Sequence, residues 1–229
     1  LLDHYKQQQI DPSDMTRTYT QFTAGMNTKG DAKLIGSLSG GYSNGQEFMT
    51  VAEATMSTEG DYKDSRVQYY HVFKADSALT PRYAASLDVI DNDLFSSASL
   101  GAATVFKTGI QGFDIYARLG YAAGEFSDDF AASQNIGDKS ASGLMWGLYP
   151  TYVADNGMFV TVYPELLSLN GETDFSNLKT TVSFGAPINE NKTTWINLKF
   201  ENVQNEWETN GIKESTNDNV LWTYFKLYF

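Results

Sequence analysis

Residues able to do covalent or acid–base chemistry are scarce in this chain of 229 residues, which has no cysteine and only two histidines. Without cysteine there is no disulfide framework, no thiol nucleophile and no thiolate zinc site. Hydrolysis or acyl transfer by a side chain needs a base held beside a nucleophile. His4 lies in an irregular N-terminal stretch. His71 sits in Tyr69-Tyr70-His71-Val72-Phe73, with Tyr69 and Phe73 on its own face and no serine two residues away. The expectation is a packing or interface histidine, and not an enzyme. No P-loop, dinucleotide fingerprint or HExxH pair is present. What remains is a series of dispersed charges: Lys33, Glu53, Asp88, Asp114, Arg118, Glu165, Lys199, Glu201 and Lys226. Opposite signs on neighbouring strands make salt bridges more readily than acid–base pairs, and they build a polar wall.

The elements that carry these charges alternate with period two. In the last ten residues, Leu221, Thr223, Phe225, Leu227 and Phe229 share one face, while Trp222, Tyr224, Lys226 and Tyr228 share the other. That is a strand with one oily side. Residues 1–14 do not alternate, and Asp11-Pro12-Ser13-Asp14 breaks the chain there. From residue 15 to 229 twelve alternating segments recur, with ten and fourteen as the neighbouring counts. Asn44-Gly45 and Asp155-Asn156-Gly157 mark tight hairpins. SNGQ, TGIQG, ADNG and INENK connect strands on one side; SDDFAASQNIGDKSAS and QNEWETNGIKESTNDN, the longest connections, fall on the other. No run approaches the 18 or so apolar residues of a spanning helix, but a barrel strand shows lipid only its alternate residues, so a mean hydropathy of −0.35 does not exclude a membrane barrel.

An aromatic, amphipathic strand ending on Phe229, with Phe225 and Leu227 on the same face, resembles the assembly signal of Gram-negative outer-membrane β-barrels. The resemblance implies an all-β fold: a closed, antiparallel, up-and-down transmembrane barrel of about 12 strands, with short periplasmic turns and longer extracellular loops. It implies the cell outer membrane as location, and outer-membrane lipid, lipopolysaccharide and the barrel-assembly machinery as partners. In size and strand count the chain resembles small oligosaccharide porins, and also twelve-stranded autotransporter barrels.

A charge at the bilayer midplane costs about 2–4 kcal/mol, so the charged face of each strand is assigned to the lumen. Lys33, Glu53, Asp88, Asp114, Arg118, Glu165, Lys199, Glu201 and Lys226 then line it together with Tyr116 and Tyr224, while Leu34, Leu38, Leu119, Ile196, Leu198 and Phe200 meet lipid. Five acids against four bases is close to balance and lacks a strong track of one sign. The function expected is a narrow, polar, porin-like channel for ions or small solutes. The alternative is a non-conducting barrel plugged by the N-terminal DHYKQQQ segment, periplasmic or lumenal, serving as scaffold for a lipoprotein or surface partner.

The net charge of −12 argues against nucleic acid. Its acids gather on the connections placed outside, among them Glu59, Asp61, Asp64, Glu172, Asp174, Glu206, Glu208, Glu214 and Asp218. Solvation of those loops is the first reading, bridging to lipopolysaccharide phosphates through divalent ions the second, and preference for cations at the mouth the third. Asp128, Asp129 and Asp138 are the candidates for a loop Ca²⁺, although no EF-hand or RTX spacing surrounds them. No other cofactor is expected.

Overall fold

Period-two patterning over most of the chain leaves the backbone polar groups to be satisfied between strands, and in lipid only a closed ladder does this. The computed structural model, which describes residues 9–229, has that ladder. Its strands are β1 (Gln21–Asn27), β2 (Ala32–Gly41), β3 (Glu47–Met56) and β4 (Tyr62–Lys74). They continue as β5 (Arg82–Asn92), β6 (Phe95–Ile110), β7 (Phe113–Phe126) and β8 (Ser140–Val153), with a short helix α1 (Asp128–Gln134) before β8. The last are β9 (Phe159–Gly171), β10 (Thr173–Pro187), β11 (Thr194–Thr209) and β12 (Ile212–Tyr228). Each strand pairs antiparallel with its sequence neighbours, and β1 pairs with β12 to close the barrel.

The closing seam is fixed in register by a side chain. Gly25 lies opposite Tyr224, and a Cβ at Gly25 would stand 2.3 Å from the Tyr224 ring. A glycine here lets the ring lie flat across the ladder, and slipping by one residue would lose that fit.

Polarity runs opposite to that of a soluble barrel or sandwich. Leu38 is 69%, Leu100 67% and Leu119 60% exposed on the outer face, too much contiguous apolar surface for water. Leu34, Ile196, Leu198 and Phe200 also point outward, as do Phe225 and Phe229. At the end that holds Phe229, Tyr42, Phe48, Tyr69, His71, Phe73 and Tyr83 form a run of ring contacts on the outside of β2 to β5, an interfacial aromatic belt. In the orientation common to this fold that is the periplasmic end. His71 belongs to this belt, hydrogen bonded to Gln46 Oε1 at 2.9 Å and Tyr69 Oη at 3.0 Å.

Two expectations need correction on the extracellular side. QNEWETNGIKESTNDN is not a loop. It is the top of a β11–β12 hairpin paired from Thr194↔Leu227 to Thr209↔Ile212, turning on Asn210 (φ 53°) and Gly211 (φ 77°), the two positive φ values of a tight hairpin turn. At about 3.3 Å per residue, the 17 residues of β12 extend about 56 Å along the strand, against an apolar band about 25 Å tall. The outward residues change from Ile196, Leu198 and Phe200 to Asn202, Gln204, Glu206 and Glu208 where β11 leaves the band. A strand wet on both faces has no apolar alternation to read. The stretch NGETDFSN, residues 170–177, whose Glu172 and Asp174 are expected on an outside connection, is likewise ladder, with only Glu172 between β9 and β10. Among the extracellular connections the long one is residues 127–139, so the asymmetry of the two ends is built mainly from tall hairpins. The second correction is Asp64, which lies within β4 and faces inward, its Oδ1 accepting from Thr55 Oγ1 at 2.8 Å.

Candidate functional site in the lumen

All eleven residues assigned to the lumen lie on the inward parity of their strands, following the registers Lys33↔Thr55, Glu53↔Arg66, Gln68↔Asp88 and onward around the wall. Eight of them, Lys33, Glu53, Arg118, Glu165, Lys199, Glu201, Tyr224 and Lys226, line one central chamber of about 370 Å³. Asp88 lies immediately behind it with 0% exposure. Tyr116 is buried nearer the periplasmic end, in a cluster with Val105, Tyr149 and Met15. Asp114 is apart from the chamber and pairs with Lys107 at 2.5 Å.

Arg66 and Lys179 also reach the chamber, and they were not singled out in the sequence. The rule that found the others would have found them, because Arg66 shares a face with Gln68 and Tyr70, and Lys179 with Thr181 and Ser183. The segment ahead of β1 adds Asp14 and Arg17; the alternation expected to begin there becomes ladder only at Gln21. The chamber lining therefore carries seven bases (Arg17, Lys33, Arg66, Arg118, Lys179, Lys199, Lys226) and four acids (Asp14, Glu53, Glu165, Glu201). The chamber lining carries a basic excess, while Asp88, bonded by both Arg66 and Arg118, and Asp64, 3.7 Å from Lys33, stand just outside that lining and keep the lumen as a whole close to balance.

Several of these charges hold one another. The Asp88 carboxylate accepts from Arg66 Nε at 2.7 Å, from an Arg66 terminal nitrogen, and from an Arg118 terminal nitrogen at 2.9 Å. This arrangement fixes two guanidinium groups side by side on the wall. Lys179 Nζ is 2.9 Å from Glu165 Oε2, and Tyr149 donates its hydroxyl to Glu165 Oε1 at 2.9 Å. Lys33 lies 5.4 Å over the Trp222 ring and 3.7 Å from Asp64, and Lys199 lies 5.4 Å over Tyr224. Trp222 and Tyr224 stack at 5.5 Å with planes 12° apart. Lys199 and Lys226 form no ion pair among the described residues, so both amines face the chamber without a carboxylate partner.

Both ends of the chamber are narrowed. At the periplasmic end residues 9–20 fold into the bore before β1 begins. Ile10 packs against Phe159, Trp195 and Tyr228, and Met15 against Val105, Tyr116 and Tyr149. Gln9 is the one residue of the expected DHYKQQQ plug that is described; the rest of that segment, His4 included, lies outside the described residues. At the extracellular end an apolar cluster projects inward, built on Phe95, Phe126, Leu169 and Phe175, with Phe130, Ile136 and Trp207 packed against it.

The loop acids serve the loop itself. Asp128 and Asp129 occupy the first turn of α1, where the helix dipole favours them, behind Ser127 as N-cap. Asp128 pairs with Lys139 at 2.7 Å, which holds its carboxyl below the usual carboxylate range. Asp138 is likewise lowered, by the Ser140 hydroxyl and then the Ser140 N–H. Glu172 accepts the backbone N–H of Gly137 at 2.8 Å and of Asp138 at 2.6 Å, tying the loop to the β9–β10 turn and lowering its own pKa. No three acidic or histidine side chains stand together as a metal site among the described residues.

The fold, the outward apolar band and the charged bore define a small transmembrane barrel of the porin type. No protein-family model and no curated protein sequence matches the chain. Among solved structures it is similar to the NanC porin, with a TM-score of 0.59, 9% identity, and coverage of 92% of this chain and 100% of that one. It is also similar to the KdgM porin, with a TM-score of 0.55, 7% identity, and coverage of 92% and 98%; that porin is further known in complex with disordered oligogalacturonate. At such identities the likeness is one of fold, and the fold is that of outer-membrane porins.

Proposed function

We propose that this protein is a narrow porin-like channel of the Gram-negative outer membrane, passing ions and small polar solutes with a preference for anions. The observation that carries the reading is the chamber: seven bases face four acids, and Lys199 and Lys226 have no ion pair among the described residues. A low-dielectric wall strengthens the field of such charges on a passing ion. The similarity in fold to a porin seen with oligogalacturonate supports a polar, acidic solute. Reconstitution in planar bilayers tests the reading. Discrete conductance with a reversal potential on the anion side is expected in a potassium chloride gradient; silent insertion or cation preference overturns it.

A second reading follows from the seating of residues 9–20 in the bore. A barrel that stays stoppered would be a scaffold for a lipoprotein or surface partner. Deletion of residues 1–14 would then open a conductance that the whole chain never shows.

A further inference from the structure

The residues ahead of β1 could narrow the bore passively or could move, and the way they are held separates the two. Asp14 is buried, and its Oδ1 accepts the Thr16 N–H at 2.9 Å and the Thr16 hydroxyl at 2.6 Å. Its Oδ2 accepts from Arg82 at 2.5 Å and from Arg17 Nε at 3.3 Å. Arg82 on β5 also donates through Nε to Thr16 Oγ1 at 3.0 Å. From β4 the Tyr70 hydroxyl donates to the Met15 carbonyl at 2.6 Å, and on the adjoining strand β3 Glu47 accepts the Thr18 hydroxyl at 3.1 Å, so the ties gather on one sector of the wall, β3 to β5. We propose that residues 11–18 are a gate seated in the lumen and latched by the Asp14–Arg82 pair, so that the channel opens when this latch is released.

This inference rests on the channel reading and adds its regulation. The ties between segment and wall are polar side-chain contacts. The backbone bonds of residues 11–17 are its own turns, Asp14 N–H to Asp11 and Arg17 N–H to Asp14, and not a ladder with the barrel. Ile10 and Met15 supply its apolar contacts. A few charge-assisted bonds beside a polar, basic chamber can exchange for water and ions, whereas a strand added to the ladder could not. The segment is continuous with β1, and residues 19 and 20 are fixed to the rim: the Thr20 carbonyl accepts the Phe229 N–H at 3.0 Å, Thr20 Oγ1 accepts the Ser39 N–H at 3.2 Å, and the Tyr19 carbonyl accepts the Ser37 hydroxyl at 2.6 Å; the segment therefore pivots ahead of residue 19.

Single-channel recording on the whole chain tests the gate, using Asp14→Asn, Arg82→Gln and the exchanged pair Asp14→Arg with Arg82→Asp. Each single change is expected to raise open probability about tenfold or more, the effect of losing one charged hydrogen bond, read as a change in dwell times. The exchanged pair is expected to return open probability toward that of the wild type. Tyr70→Phe, which removes one hydroxyl and no charge, is expected to act in the same direction but more weakly, and it replaces any charge variant that fails to give the heat-modifiable band of a folded barrel. Steady conductance in the wild type, identical in every variant, overturns the gate and leaves the channel standing. Changes in unit conductance without changes in dwell time also overturn it, in favour of a fixed constriction. Silence from the wild type, all variants and the chain lacking residues 1–14 overturns the channel reading itself.

Discussion

The two ends of the bore are narrowed by opposite chemistry. At the extracellular end Phe95, Phe126, Leu169 and Phe175 form an oily knot under Phe130, Ile136 and Trp207. At the periplasmic end Asp14, Thr16, Arg17 and Arg82 form a polar knot around a segment of irregular backbone. The apolar knot is part of the wall, since its buried members lie on β6 to β10, and burying rings contributes stability without regard to direction. The polar knot depends on direction and on a few atoms. One end is therefore built to stay, and the other can be undone by removing a single charge.

Four measurements break or sharpen this contrast. The largest effect is expected from Phe126→Ala, which removes a ring at the centre of the apolar knot and should lower stability by about 3–5 kcal/mol, read from the urea midpoint of the folded barrel in detergent. Asp14→Asn should cost about 1.5–3 kcal/mol or less by the same titration; if it costs more than Phe126→Ala, the periplasmic knot is structural and the contrast fails. Between the ends, Lys199→Glu combined with Lys226→Glu leaves five bases facing six acids in the chamber. This pair should move the reversal potential to the cation side with the heat-modifiable band retained, and an unmoved potential would place selectivity outside the chamber.

The smallest effect concerns the loop that lies over the apolar knot. The N–H groups of Gly137 and then Asp138 lower the pKa of Glu172, so the folded loop favours the ionised carboxylate. That contribution is complete above the ordinary glutamate pKa and is lost as pH falls through the lowered one. The amide resonances of Gly137 and Asp138 should titrate together with a midpoint below about 4.3, the ordinary glutamate value, and Glu172→Gln should abolish that titration. A midpoint at or above the ordinary value would mean that the loop is not tied to the β9–β10 turn.

Legibility in the sequence followed contrast between faces. Where one face is oily and the other charged, as with Leu227 and Phe225 against Lys226 and Tyr224, parity alone placed the residue, and the same split placed Lys33, Glu53, Arg118 and Lys199 on the lumen wall. Where both faces are wet, as from Gln204 to Asn219, the strand reads as loop, although Asn210-Gly211 names its turn. The sequence also left three of the chamber's bases out of the lumen set. Arg66 and Lys179 lie on the inward faces of strands whose parity is legible, and Arg17 comes from the segment ahead of β1.

By itself the sequence determined that the chain is a closed membrane barrel, because a period of two is local and lipid forbids an unpaired strand edge. On strands with one oily face it also determined which side chains face inward. Only the tertiary structure decided which inward charges meet. The stagger of neighbouring strands brings Arg66 and Arg118 together on Asp88, and Asp14 reaches Arg82 across 68 positions of sequence. Such pairings depend on register and on the path of an irregular segment through the bore, and neither leaves a period in the chain.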